Sequence, residues 1–468
     1  MKDMENYRLS SYTIFTKLED TEDKYMLVHG YTGAIDITSE NLVSFLKSKS
    51  KLIPLTECPF SKSTFDSLVK RGYITKRSHE DEIEYVDNLT KLFHKKDEML
   101  YKSFLFVISY NCNFRCPYCY ENEMSNQGND WTHKTLTKEI VDRAYAAMLE
   151  IEPRKKLHAN MITLYGGEPL LAENREIVEY LVKKGHDLGY KFSAITNGYD
   201  LDYFKDLLSP DLINRLQITV DGNREQHDKR RIHYLNKNSF DKIMYNIGIA
   251  LDRGVKVTIR VNTDADNFES LFELQQLFDN LHYTENENFS FYSALLRNYE
   301  QYSDKNDGNT HFRYMDQKEF NRRHKMESYK IKCQDFSLFD NLSGAIKNKR
   351  LIDFGATSCS AQYGAYIFDP YGNIYPCLEV LRQKEHVLGN YSVDKIIWTD
   401  AINQWHNRKF MQANSCNSCK YALLCRGGCV KVALLNNGQL HAGRCDEFLN
   451  TFETAVNRVY KSMSVVND

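Results

Sequence analysis

Hydrophobic and polar positions divide the 468-residue chain into three kinds of pattern. Near the start, Lys24 to His29 is a strand-length run, Gly30 and Gly33 mark a turn, and Ala34-Ile35-Asp36-Ile37 alternates with the two-residue period of a half-buried strand. Helical spacing follows. From about Ser39, Leu42, Phe45 and Leu46 share one face, and a second helix is expected over about Ser63 to Arg71, stopping at Gly72. Tyr73-Ile74-Thr75 reads as a returning strand, so residues 1–95 form a small α+β unit of winged-helix character, with the charged stretch from Ser78 to about Glu98 as connector.

From about 100 to 300, strand-length apolar runs alternate with amphipathic ones. Strands are expected at Phe104 to Tyr110, Met161 to Tyr165, Phe192 to Thr196, Leu216 to Val220, Val255 to Val261 and Phe289 to Ser293. Helical stretches such as Ile140 to Leu149, Glu176 to Leu188 and Phe240 to Arg253 lie between them, which is the signature of parallel βα units. The fold class is therefore α/β, with a partial (β/α)6 TIM-type barrel over residues 96–310. Residues 311–354 are polar and read as a linker, and residues 355–468 read as a metal-organised domain closed by a helix from about Asp446 to Met463.

Composition narrows the class. With 42% apolar and 26% charged residues the chain is globular, and a net charge of -2 supplies no general field for nucleic acid. No signal peptide and no apolar run of membrane-spanning length is present, so a cytoplasmic protein with neither membrane nor nucleic-acid partners is expected. In a reducing compartment the twelve cysteines are metal ligands or reactive thiols before they are disulfides.

Cys112, Cys116 and Cys119 follow the first expected barrel strand in a C-x3-C-x2-C spacing. Three thiolates on one loop at the carboxyl end of a strand can hold a 4Fe-4S cube with one open iron, as a catalytic cluster requires. This spacing resembles that of the radical S-adenosylmethionine superfamily. The resemblance implies that S-adenosylmethionine chelates the open iron, that one electron releases a 5'-deoxyadenosyl radical, and that Tyr118 contacts the adenine. At the second strand end, Gly166-Gly167-Glu168-Pro169 offers glycines for close backbone approach to a ligand and a carboxylate for an ammonium group; it resembles the family's methionine-amine motif. Thr196-Asn197-Gly198 resembles the ribose-side contact, while Asp221 and Arg260 with Asn262 end or lie on later strands. For these three sites capping and ligand contact both stay open, with Asp221 a candidate substrate or ribose contact. The run His227 to Arg231 could form a binding patch, but a charge run reads first as a solvated loop.

The C-terminal segment carries Cys359, Cys377, Cys416, Cys419, Cys425, Cys429 and Cys445. Four clustered thiolates also suit zinc. The spacing resembles the SPASM extension of radical S-adenosylmethionine enzymes, which implies two auxiliary 4Fe-4S clusters and three clusters in total. By that resemblance Cys416, Cys419, Cys425 and Cys445 hold the second auxiliary cluster, and Cys359, Cys377 and Cys429 the first. Full ligation needs eleven cysteines and the motifs supply ten, so either Cys333 is recruited or the first auxiliary cluster keeps an open iron suited to a substrate thiolate. Cys58 reads as an ordinary buried thiol.

The N-terminal unit resembles the leader-recognition region of SPASM peptide maturases. The expected function is thus a maturase that installs a crosslink, a cysteine-derived thioether first, in a ribosomally made precursor peptide, with a flavodoxin or ferredoxin-type reductant. Its rivals are an anaerobic sulfatase-maturing enzyme, a C-C or C-O crosslinking maturase, and a non-catalytic iron-sulfur or zinc protein.

Overall fold

The computed structural model describes residues 6–48, 53–54, 59–119, 130–297, 312–326, 331–333, 338–413, 415–443, 445 and 448–464. The chain forms two compact units, neither continuous in sequence. One contains residues 1–99, 335–359 and 408–468, the other residues 100–334 and 360–407.

In the first unit, strands β1 (Asn6–Leu9), β2 (Thr13–Lys17), β3 (Lys24–His29), β4 (Ile35–Ser39), β5 (Ile53–Pro54) and β6 (Ile74–Thr75) make two small antiparallel sheets, β2-β3-β4 and β5-β1-β6. Helices Glu40–Ser48 and Lys62–Arg71 bury Leu42, Val43, Leu46, Phe65 and Leu68 against Leu27, Tyr73 and Ile74. Ser61 caps the second helix by accepting from the Thr64 N–H, and Gly72, at φ 91°, takes the left-handed conformation that ends it. The stretch expected as a charged connector is instead a twenty-residue helix, His79–Glu98, started by a reciprocal Ser78–Asp81 capping pair. Its buried face carries Glu82, Val86, Thr90 and Asp97, so only one apolar side chain among these four marks the face in sequence.

Glu82 is fully buried and serves as a hub. It accepts from the Ser10 hydroxyl at 2.5 Å, the Ser11 N–H at 2.9 Å and the Tyr31 hydroxyl at 3.0 Å, and pairs with Arg8 at 2.5 Å. Burial opposes its ionisation, but these bonds and the Arg8 charge outweigh it and hold the carboxyl below the usual range. The C-terminal helix Phe448–Ser464 buries Phe452, Ala455, Val456 and Val459 in a core shared with Ile14, Leu18, Met26 and Val28, and with Leu338 and Leu342 of helix Leu338–Lys347. That last helix, and Gln317–Met326 in the second unit, lie within the segment expected as linker.

The second unit is built on one sheet. Strands β7 (Lys102–Val107), β8 (His158–Tyr165), β9 (Lys191–Thr196), β10 (Ile213–Thr219), β11 (Lys256–Thr263) and β12 (Phe289–Leu295) run parallel in sequential order, and β13 (Lys332–Cys333) adds parallel to β12. All six expected strands are present with ends shifted by a few residues. Beyond β7, β14 (Ala365–Phe368) pairs parallel, and β15 (Asn373–Tyr375), β16 (Gly389–Asn390) and β17 (Ile397–Trp398) extend the sheet antiparallel. Helices Lys138–Ile151, Arg175–Asp187, Phe240–Asp252 and Ser270–Asn280 cross between strands. The result is an α/β fold whose strands bury Phe104, Phe106, Ile162, Leu164, Phe192, Ile218 and Ile259, as βα crossovers require. Among the described residues no helix is long and apolar enough to cross a membrane.

Candidate functional site

The site starts where β7 and β8 end side by side. Past Val107 the chain turns through Ser109 and Asn111 into Cys112, Cys116 and Cys119, and the end of β8 continues to pair with it: the Gly167 N–H donates to Ser109 O at 3.1 Å and the Glu168 N–H to Asn111 O at 2.8 Å. A Cβ on Gly166 would lie 2.3 Å from Ser109 O, and one on Gly167 would lie 2.4 Å from Asn111 O. The sequence reading assigned these glycines to ligand approach; in the structure they admit the backbone that leads into the cysteine loop.

Within the loop the Phe114 N–H donates to Cys112 Sγ at 3.4 Å and the Cys119 N–H to Cys116 O at 3.0 Å. Burial pushes the Cys112 thiol well up, helped by Glu168 and the other two thiols, and raises Cys116 despite the opposing charge of Arg231. Such thiols are poor free thiolates and become ligands when a metal takes up the charge. Among the described residues no three His, Cys, Asp or Glu side chains are grouped for a single metal ion; a 4Fe-4S cube takes its cysteines on separate irons. Three thiols on one loop, Cys116 buried and Cys112 and Cys119 half-buried, fit that group.

Glu168, 2% exposed, braces the next strand end. Its Oε1 accepts from the Thr196 hydroxyl at 2.5 Å and the Leu170 N–H at 2.9 Å, and its Oε2 from the Asn197 N–H at 2.6 Å. Burial outweighs these bonds and pushes the carboxyl up to about 7. A carboxylate has about four acceptor positions, so an amine donor can still be taken on Oε2. Asn197 also donates to Asn113 Oδ1 at 2.7 Å, tying the end of β9 to the cysteine loop.

Beyond β10, Asp221 is fully buried and accepts from the Tyr118 hydroxyl and, at 3.0 Å, from the Asn262 N–H. Tyr118 accepts in turn from Arg231 Nη1 at 2.9 Å and meets Phe312 edge-on, ring centroids 5.8 Å apart. Arg230 pairs with Asp264 at 2.8 Å and stands 3.8 Å from Asp221. Arg260 donates to Asn262 Oδ1 at 2.9 Å, which places it in the same polar group.

In the run read first as a solvated loop, Lys229 faces solvent but three residues are interior: His227, Arg230 and Arg231 are 0%, 4% and 9% exposed. Helix Arg224–Arg230, capped by Asn223, turns them inward. Burial, with Arg231 and Arg230 nearby, keeps His227 far below the usual range, and the neutral ring accepts from the Asp221 N–H at 3.3 Å. The Nε atoms of both arginines are buried without a hydrogen-bond acceptor, that of Arg230 3.8 Å from an Asp221 carboxylate oxygen. That of Arg231, whose guanidinium acts electrostatically on Cys116 and Tyr118, suits an anionic ligand group such as a carboxylate. The sequence signal for these residues was present in the charge run, but nothing in its spacing separates inward from outward arginines.

In the first unit, Cys416, Cys419, Cys425 and Cys445 act on one another electrostatically. Burial, with the other three thiols, pushes Cys425 up to about 12. A Cβ on Gly443 would lie 2.2 Å from Cys416 Sγ, so the stretch leading to Cys445 passes directly against that thiol. Ser358 donates to Gly428 O at 2.8 Å, bringing the Cys359 stretch beside that of Cys429. Arg408, fully buried, lies among these segments, and the thiols of Cys359, Cys416, Cys429 and Cys425 act on it electrostatically. Cys377 follows β15 in the second unit. Cys333 ends β13, its side chain outside the described residues, and Cys58 is likewise outside them.

Residues 106–277 match the family described as the Radical SAM superfamily. A cysteine-type anaerobic sulfatase-maturating enzyme of Clostridium novyi is 23% identical over 75% of this chain and 94% of its own length. The radical SAM cyclopropyl synthase TigE of Paramaledivibacter caminithermalis is 23% identical over 94% of this chain and 93% of its own. The crystal structure of Streptococcus suis SuiB bound to precursor peptide SuiA superposes with a TM-score of 0.53 at 16% identity, covering 94% of this chain and 99% of that one.

Proposed function

We propose that the chain, whose residues 106–277 match the Radical SAM superfamily, is a maturase that crosslinks a ribosomally made precursor peptide. Cys112, Cys116 and Cys119 would hold the catalytic cube. Glu168, placed by Thr196 and Asn197, would accept the methionine amine, Arg231 would face its carboxylate, and Tyr118 with Asp221 would contact the nucleoside. When bound, these groups supply a carbon-centred radical that takes a hydrogen atom from the peptide, and the auxiliary clusters on the C-terminal cysteines supply a sink for the electron left when the crosslink closes. A flavodoxin or ferredoxin-type protein would provide the reducing electron.

The observation that carries this reading is the meeting of a three-thiol loop after β7, a buried carboxylate with an acceptor position left after β8 and an Arg231 N–H without an acceptor after β10 of one sheet. A peptide substrate is supported by the likeness to SuiB, a peptide-bound enzyme, over nearly the whole chain. It is supported also by the β2-β3-β4 sheet, where β4 pairs with β3 alone among the described strands and so offers an edge for a leader strand. Thioether formation remains the leading chemistry, because ten motif cysteines leave one auxiliary position for a substrate thiolate. The likeness to a cyclopropyl synthase over 94% of this chain supports a second reading, carbon-carbon bond formation within the peptide.

The test is iron and acid-labile sulfide per chain after anaerobic reconstitution, for wild type and the Cys112/Cys116/Cys119 triple Ala variant. About twelve irons falling to about eight supports three cubes. About four irons with zinc in the C-terminal segment refutes the auxiliary clusters. Incubation with the peptide of a neighbouring short reading frame should yield a product lighter by two hydrogen atoms; an unchanged mass with demonstrable S-adenosylmethionine cleavage refutes the crosslink.

A further inference from the structure

Arg408 is one of the largest fully buried side chains of the protein, and its hydrogen bonds go to main-chain carbonyls: Nε to Leu440 at 2.7 Å, Nη1 to Gly428 at 3.2 Å, and Nη2 to Gly427 at 2.9 Å and Ala442 at 2.8 Å. Gly427 and Gly428 lie between Cys425 and Cys429, whereas Leu440 and Ala442 lead into Cys445. One planar donor fork therefore joins two cysteine-bearing loops that are not adjacent in sequence. The fit is close. Gly427 has φ 76°, and a Cβ there would lie 2.4 Å from Phe410 Cβ and 3.3 Å from Arg408 Nη2.

Burying a full positive charge against carbonyl dipoles alone is costly, and buried guanidinium groups are ordinarily paired with anions. Here the acidic groups that act on it are the thiols of Cys359, Cys416, Cys429 and Cys425. Neutral thiols give such a cation no counter-charge. Thiolates on iron do, since a 4Fe-4S cube with four cysteine ligands carries net negative charge.

We infer that Arg408 is the positioning residue of the auxiliary-cluster ligands: it ties the Cys425–Cys429 loop to the segment entering Cys445, and its charge balances the thiolate set formed on iron. The inference rests on the reading of these cysteines as cluster ligands. A buried cation beside a cluster favours the reduced, more negative state, so Arg408 raises the auxiliary potentials.

Two variants of the full chain separate the tie from the charge, read by iron content, by the signal of the barrel-loop cluster with S-adenosylmethionine, and by electron-paramagnetic-resonance redox titration. Arg408→Lys keeps the charge, and Arg408→Gln keeps two donors without it. With iron retained, Arg408→Gln is expected to shift the auxiliary reduction equilibrium about tenfold toward the oxidised form, a midpoint about 59 mV lower, while Arg408→Lys stays near wild type. An Arg408→Gln protein with full iron and an unmoved potential overturns the inference. If Arg408→Gln loses auxiliary iron and Arg408→Lys keeps it, the charge is needed for assembly and the inference stands. If both lose it equally with the barrel-loop signal intact, the charge role is overturned. A wild-type iron content of about four would instead sink the cluster reading itself.

Discussion

Replacing Glu168 by Gln separates the stability of the fold from the chemistry of the site. Glu168 is 2% exposed, and burial raises its carboxyl from 4.5 to about 7 despite three hydrogen bonds. A carboxyl whose folded value is raised contributes stability that is fully present below about pH 4.5 and is lost as pH rises through about 7. The shift corresponds to about 3 kcal/mol. Gln has the same shape and does not titrate. In metal-free protein, the stability of wild type relative to Glu168→Gln should therefore fall by about 3 kcal/mol between pH 4.5 and 8. Urea unfolding followed by tryptophan fluorescence reads the right unit, because Trp131, Trp398 and Trp405 all belong to the unit that contains Glu168. The same variant should bind S-adenosylmethionine roughly ten- to a hundredfold more weakly at pH 8 once loaded with iron, since it loses a charge-assisted hydrogen bond worth about 1.5–3 kcal/mol. Parallel stability profiles for the two proteins across this pH range would refute the assignment of a buried, proton-holding carboxyl.

Two further outcomes test the scaffold. Gly167→Ala places a Cβ 2.4 Å from the Asn111 carbonyl oxygen, a main-chain atom that cannot swing aside. The cysteine loop must move, and reconstituted iron should drop by about four per chain while the auxiliary signals persist. Glu82→Ala strips the acceptor from Arg8, Ser10, Ser11 and Tyr31, and should destabilise the first unit by about 3–5 kcal/mol, visible as faster hydrogen exchange along His79–Glu98. Because the Glu82 carboxyl is held below 4.5, its contribution is lost only as pH falls through that lowered value, and the variant should lack this part of the acid transition.

The parallel strands were legible because a strand buried on both faces is apolar almost throughout, as in Phe104 to Val107, or apolar residues alternate with polar ones, as in Leu216 to Val220, and turn residues bound them. The cysteine loop and the Gly166 to Pro169 turn were legible because their spacing is local. Two kinds of feature were not. Helix His79–Glu98 hides its packed face because Glu82, Thr90 and Asp97 are buried by hydrogen bonds and charge rather than by hydrophobicity. Pairings between distant segments, such as β14 on β7 or the 448–464 helix on Ile14 and Val28, leave no local periodicity to read. The two glycines were singled out for close approach, and the structure shows such an approach to the backbone of Ser109 and Asn111, a neighbour that one sequence cannot name.

Arg231 and Arg408 share a physical logic that the charge pattern alone would never suggest. Each is a buried guanidinium, Arg231 acting on Cys116 and Arg408 on Cys359, Cys416, Cys425 and Cys429, and each donates its hydrogen bonds to neutral oxygen atoms. Arg231 also has the buried Asp221 carboxylate to hold its charge, whereas Arg408 has only neutral thiols beside it, and a fold that buries such a cation is less stable without metal than its core would allow. Converting those thiols to iron-bound thiolates turns Arg408 into the partner of an anionic centre, so cluster binding and folding are coupled through charge as well as through ligation. The coupling has a direction: removing the Arg408 charge should ease the metal-free fold and weaken the loaded one, the opposite of what loss of an ordinary buried hydrogen-bond donor does.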